Sequence, residues 1–299
     1  MVIPTATETA MMTELPAGDS GQPAAKGRIL VLLDGSRVGY VVLDVAAAIA
    51  ARTGAELQGV FVEEQNLLRS AGYGFAREVG SVSGVSRPLD VTALEQRMQR
   101  LADQARRALA GAAGHYGGRY QLSIARGSVV EEVLALAEPE DLLVLGRARW
   151  STIPAGWLGS TARALLHRSP GRLLLWGHQQ PPNHGRVVVF LNEHEGANQR
   201  AVAAASEAAA YSRQPVTLLL AGEAGVAPEA LATLKRNLGV PEPDVRVIPL
   251  LSSDPATVAG VLRQEKASQL VISRDCSLFR EPGAENLLAA LHLPVTITP

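Results

Sequence analysis

Between Leu145 and Leu166 the chain reads LGRARWSTIPAGWLGSTARALL. Gly146, Gly159 and Ser160 fall between an apolar run that stops at Gly146 and a helical pattern that begins near Ser160. Glycines let a polyanion approach the backbone closely, and a helix start adds unsatisfied N–H groups at the positive end of a dipole. The spacing therefore points to phosphate, with Ser160 and Thr161 as hydroxyl donors. The blander alternative is that Ser160 simply caps the helix. Arg147 and Arg149 lie in the same stretch and also favour an anion. Arginine, however, takes positive φ only under strain. Two outcomes stay open for Arg149: the loop follows another path and the cradle is lost, or the guanidinium adds a charged fork to the phosphates.

Other reactive residue types lack a working arrangement. His115, His167, His178, His184, His194 and His292 have no metal-ligand spacing, and NEHEGAN is not the zinc-protease motif. Ser160 is not in a GxSxG elbow, GxxxxGK[ST] is absent, and no general base can be placed. Cys276 could be a reactive thiol with Arg274 nearby to lower its pKa, but an idle buried cysteine is the better reading. The chain is expected to be no enzyme and to hold no metal of its own.

The elements that must position the glycine stretch are legible. RILVLLD (Arg28 to Asp34) is a short apolar run of the kind buried on both faces of a parallel sheet. A helical stripe with Val42, Val45, Ala46 and Ile49 follows and is stopped by Gly54. AELQGVFVEE is a second strand, Thr92 to Ala113 a long helix, YQLSIARG a third strand, SVVEEVLALAEPE a helix and DLLVLG a fourth strand. RLLLW (Arg172 to Trp176) closes the unit. Between the second strand and the long helix, Asn66 to Asp90 reads as a Gly-rich loop carrying Leu67, Leu68, Tyr73 and Phe75. Such a loop covers the crevice, docks a partner, or packs on the other half of the chain.

After a Pro-rich linker, Gln179 to Gly185, the order repeats. RVVVFLN answers RILVLLD, with Asn192 where Asp34 stood; SQLVIS answers DLLVLG, with Ser273 for Gly146 and Cys276 at the position of Arg149. The chain ends in LPVTITP, the counterpart of GRLLLW. Strands alternating with helices imply parallel strands joined by right-handed crossovers. The expectation is two tandem α/β domains, 28–178 and 186–299, after a disordered lead of residues 1–27, the second domain being degenerate and empty of ligand.

These residues resemble the universal stress protein family in its tandem form. Its nucleotide-binding members carry Gly, two residues, Gly, nine residues, then Gly-Ser or Gly-Thr. Here Gly146 opens the pattern and Gly159-Ser160 close it at the right distance, while Arg149 replaces the second glycine. LLDGS, VFVEE and ARGS also stand where the family places theirs. The resemblance implies open α/β sandwiches with five-stranded parallel sheets, nucleotide-alpha-hydrolase-like, related by a pseudo-two-fold axis. It also implies a stress-response binding module for ATP or AMP, with Mg2+ accompanying ATP. Adenine would lie on Asp34 and the backbone near Val62, ribose near Gly127, and phosphates over Gly146 to Thr161. The alternative is a nucleotide-independent scaffold that meets only an unidentified protein partner. Relatives pair through their final strands, so Leu173 to Trp176 and Val295 to Thr298 are expected side by side, making the chain an internal pseudo-dimer.

Composition narrows the classes. With 47% hydrophobic residues in 299 there is material for sizeable cores. A formal net charge of −1 gives no reason to expect nucleic acid or anionic lipid as partners. One cysteine excludes an internal disulfide. The start has no basic region followed by an apolar run, and no run reaches bilayer length, so a cytoplasmic location is expected.

Overall fold

The computed structural model describes residues 27–80, 83–146, 158–177, 184–221 and 226–299. The chain parts into two compact units, Met1–Asp141 and Leu142–Pro299.

In the first unit, β1 (Arg28–Leu32) leads to α1 (Arg37–Thr53), β2 (Glu56–Glu64) and α2 (Gln65–Ala71), followed by β3 (Arg77–Val79) and β4 (Ser86–Pro88). The long α3 (Val91–Tyr116), β5 (Tyr120–Gly127) and α4 (Val129–Leu136) complete it. β1, β2 and β5 lie side by side and parallel, with Leu32 opposite Val60 and Val62 opposite Ala125. The middle residues of β1 are all buried, which is why the run reads as continuously apolar. α1 is set at both ends by local chemistry: the Ser36 hydroxyl accepts from the Gly39 N–H at 3.1 Å, and Gly54 closes it at φ 68°. Asp90 caps α3 in the same manner, accepting from Thr92 and Ala93 N–H. Met98, Ala102, Ala105, Leu109 and Ala112 form the buried face of that helix. Leu109 lies over Gly59 of β2, where a Cβ would stand 2.9 Å from its Cδ2.

Residues 66–90 are not the irregular loop that their glycines suggest. The described residues among them include most of α2 and the antiparallel pair β3 and β4, in which Arg77 faces Pro88 and Val79 faces Ser86. α2 packs on α3 of its own unit, with Leu68 and Ala71 buried. The apolar residues therefore divide: Leu68 joins the core, while Phe75 is 81% exposed and stacks on Tyr73 at 5.3 Å.

The second unit begins with β6 (Leu142–Gly146), α5 (Ser160–Arg168) and β7 (Arg172–Trp176). β8 (Arg186–Leu191), α6 (Glu195–Ser212), β9 (Val216–Leu220), α7 (Pro228–Asn237) and β10 (Val245–Pro249) follow. α8 (Pro255–Gln264), β11 (Ala267–Ser273), α9 (Ala284–Ala290) and β12 (Val295–Thr298) end the chain. Its strands run in the order β10-β9-β8-β11-β12-β7-β6. All neighbours are parallel except β12 and β7. Small residues of α6, among them Ala201, Ala204, Ala205 and Ala209, let that helix sit close on Val187, Val189 and Leu191 of β8.

The expected meeting of the two terminal strands is present. Val295 faces Leu175, Thr296 faces Leu174 and Ile297 faces Leu173 in antiparallel register. The division into compact units consequently departs from the sequence repeat. β6 is in register with β7, and β7 with β12, so the last two strands of the first repeat belong to the second unit.

Candidate functional site

In the first unit three of the candidate residues stand at the carboxyl ends of adjacent parallel strands, where ligands bind in open α/β sheets. Asp34 follows β1. The Leu33 N–H donates to the Val60 carbonyl at 2.8 Å, so strand pairing continues to the edge of this turn. Asp34 is exposed, and its Oδ1 accepts from the Ser36 N–H at 2.9 Å. Two glycines make that posture feasible. Gly35 sits at φ 74°, and a Cβ there would meet Leu101 Cδ2 at 2.6 Å. A Cβ at Gly39 would stand 2.9 Å from Asp34 Oδ1. Reading the sequence for phosphate-binding glycines misses both, although DGSRVG is the signal that could find them. Val62 is partly buried near the end of β2, and Gly127, the last residue of β5, is buried opposite Glu64.

The rim of these strand ends is acidic and mostly self-compensated. Arg126 bridges Glu63 at 3.6 Å and Glu95 at 3.4 Å. Glu64 accepts from the Val129 N–H at 3.4 Å and from Asn66 Nδ2 at 3.1 Å.

The remaining candidate residues belong to the second unit. Gly146 ends β6, opposite Trp176. Arg149 lies outside the described residues, as does Arg147. α5 begins directly after Gly159, which holds the N-cap position at φ −59° and ψ 152°. Ser160 and Thr161 are the first two helical residues. Ser160 is therefore not the N-cap, and the bland reading of it fails: the cap is a glycine, with no side chain to satisfy the first-turn N–H groups. A Cβ on Gly159 would meet nothing within 4 Å, and the first turn carries no acidic residue while His167 and Arg168 occupy the last. Among the described residues this helix start therefore has no side-chain cap and no acidic residue in its first turn, and its dipole favours an anion. Leu165 and Leu166, both fully buried, fix the helix from beneath.

The corresponding positions of the second repeat are closed by their own side chains. Asn192, the counterpart of Asp34, is 1% exposed. Its N–H donates to Asn198 Oδ1 at 2.9 Å, its carbonyl accepts from Asn198 Nδ2 at 2.7 Å, and its side chain accepts from the His194 N–H at 2.8 Å. Cys276 is buried, and loss of solvent pushes its thiol up to about 11. Arg274 donates to the Ser169 carbonyl at 2.8 Å, and the thiol gains no lowering from it. Among the described residues no group of three or more His, Cys, Asp or Glu could hold a metal, and no helix is long and apolar enough to cross a membrane. His167 meets Glu285 at 2.9 Å instead.

Comparison with known proteins completes the description. A family model described as the universal stress protein family matches residues 26–175. Among solved structures, a universal stress protein from Archaeoglobus fulgidus DSM 4304 matches with a TM-score of 0.66 at 15% identity, covering 91% of this chain and 96% of its own. A protein of unknown function from Pseudomonas aeruginosa PAO1 matches with a TM-score of 0.58 at 16% identity, covering 92% of each chain. No curated protein matches in sequence. The family match spans half of the chain and contains every candidate site residue, from Asp34 to Thr161: this protein is a member of the universal stress protein family.

Proposed function

We propose that this chain is a non-enzymatic, tandem universal stress protein of the cytoplasm whose first repeat binds ATP or AMP. The observation that carries the reading is the placement of Asp34, Val62 and Gly127 at the carboxyl ends of neighbouring parallel strands. Asp34 is assigned the adenine edge together with the backbone near Val62, and Gly127 the ribose side. The start of α5, uncapped by any side chain, is assigned to phosphate. Mg2+ would accompany the triphosphate. The buried, self-bonded Asn192 argues that the second repeat takes no such ligand.

The experiment is extraction of the purified full-length protein for bound nucleotide, followed by calorimetry with ATP and AMP, with and without Mg2+. Binding that is lost in Asp34→Ala supports the assignment. Absence of both co-purified nucleotide and binding heat overturns it and leaves a nucleotide-independent scaffold.

A further inference from the structure

Arg274 of the second repeat directly follows β11, and its backbone N–H donates to the Thr298 carbonyl of β12 at 2.8 Å. Its side chain crosses to the first repeat. Nη1 donates at 2.8 Å to the carbonyl of Ser169, the buried residue that caps the end of α5. Nε and Nη2 are also buried, and among the described residues they have no hydrogen-bond partner. The adjacent Asp275 bridges Arg200 at 3.6 Å. Loss of solvent draws the Arg274 pKa below the ordinary guanidinium range. A guanidinium drawn out of water with donors unmatched costs stability, so stability does not account for its presence.

What the side chain reaches supplies a reason. α5 has nine residues, so its two ends stand about 13 Å apart, and its start is the place assigned to phosphate. A cation at the carboxyl end of a helix is favoured by the dipole that favours an anion at the other. His167 and Arg168 in the last turn are exposed and screened by water. The contacts of Glu285 in α9 with His167 at 2.9 Å and Arg163 at 3.7 Å are open to solvent too, and such pairs contribute little. Arg274 is the cation that meets this helix end with its nitrogens buried.

We propose that Arg274 is a positioning residue for phosphate binding: the second repeat, itself closed to nucleotide, holds α5 by its carboxyl end and so presents its amino end to the phosphates of a nucleotide in the first repeat. This inference rests on the nucleotide-binding reading above.

Thermal melts and calorimetry on full-length Arg274→Met and Arg274→Gln test it. Both variants remove the desolvated charge, and glutamine keeps an N–H donor. The melting temperature should stay within about 3 °C of the wild type or rise, because no ion pair is broken. ATP affinity should fall by about threefold or more, whereas adenosine, which carries no phosphate, should behave as it does with the wild type. Weaker ATP binding without lost stability is a combination that a merely structural arginine would not give. A folded variant with wild-type ATP affinity overturns the inference while leaving nucleotide binding intact, and so does equal weakening of adenosine. Variants that melt lower than that margin or fail to fold overturn it as well, since Arg274 would then be a stabilising contact. A wild type that binds no ATP removes the nucleotide reading itself.

Discussion

Gly159→Asp separates binding from folding at the phosphate side. The residue caps α5 at φ −59° and ψ 152°, a conformation open to any L-residue, and a Cβ there meets nothing within 4 Å. An aspartate at an N-cap accepts from the second or third helical N–H, here Thr161 or Ala162, and exceeds glycine by a few tenths of a kcal/mol. The variant should therefore melt at or up to about 1 °C above the wild type. The same carboxylate occupies the donors assigned to phosphate and sets a negative charge beside it. At about 5 Å and an effective dielectric constant of about 20, each pair of unit charges repels by about 3 kcal/mol. That corresponds to a loss of about a hundredfold or more in ATP affinity. Gly159→Ala, which adds no charge, should stay within a few fold of the wild type. Thermal melts followed by calorimetry provide the measurement. A folded Gly159→Asp variant with wild-type affinity would show that phosphate does not sit at this helix start.

Three further outcomes follow from the geometry. Ile297 of β12 is fully buried beside β7 and β11, so Ile297→Ala should cost about 2–4 kcal/mol in denaturant unfolding, whereas Leu251→Ala, at a fully exposed residue, should change stability by less than about 0.5 kcal/mol. Similar effects at the two sites would contradict the strand order. Cys276, buried and with its thiol raised to about 11, should resist iodoacetamide at pH 8 until the protein unfolds; rapid labelling of the native protein would refute that placement. Asp254, capping α8, is drawn down from 3.8 to about 2, first by the Thr257 hydroxyl, which donates to it at 2.6 Å. Because the folded value is the lower one, its contribution to stability is present above about pH 4 and fades as pH falls toward 2. An NMR titration of Asp254 should show that midpoint, and Thr257→Val should move it up toward the ordinary carboxylate value.

The residues at the ends of the first-repeat strands are legible in the sequence, because a strand buried on both faces prints an unbroken apolar run and the polar residue that ends it marks the crevice. Tyr120–Gly127 and Arg172–Trp176 have the bounds that their residue pattern implies, and Gly54 ends α1 where the pattern stops. The β3–β4 hairpin is not legible. Most of its residues are exposed, so no alternation of apolar and polar residues arises to report it. α7 is easily passed over, although PEALATLKRN carries Pro near its start and Lys-Arg in its last turn.

Sequence by itself marked the strands buried on both faces and the stop of α1 at Gly54, and led to the expectation of a repeated order of elements. It also placed Gly146, Gly159 and Ser160 at the family's spacing. Tertiary structure decided the partners. Antiparallel pairing of β7 with β12 assigns the end of the first repeat to the second compact unit. Burial of Asn192 against Asn198 closes a crevice that the repeat alone would leave open. Glycine rather than Ser160 holds the cap position of α5, so its first-turn N–H groups have no side-chain cap among the described residues. For the strand pairing the reason is that hydrophobic period records that a face is covered, while what covers it is a non-local contact with no period of its own; the other two turn on side-chain and cap geometry that residue type alone does not fix.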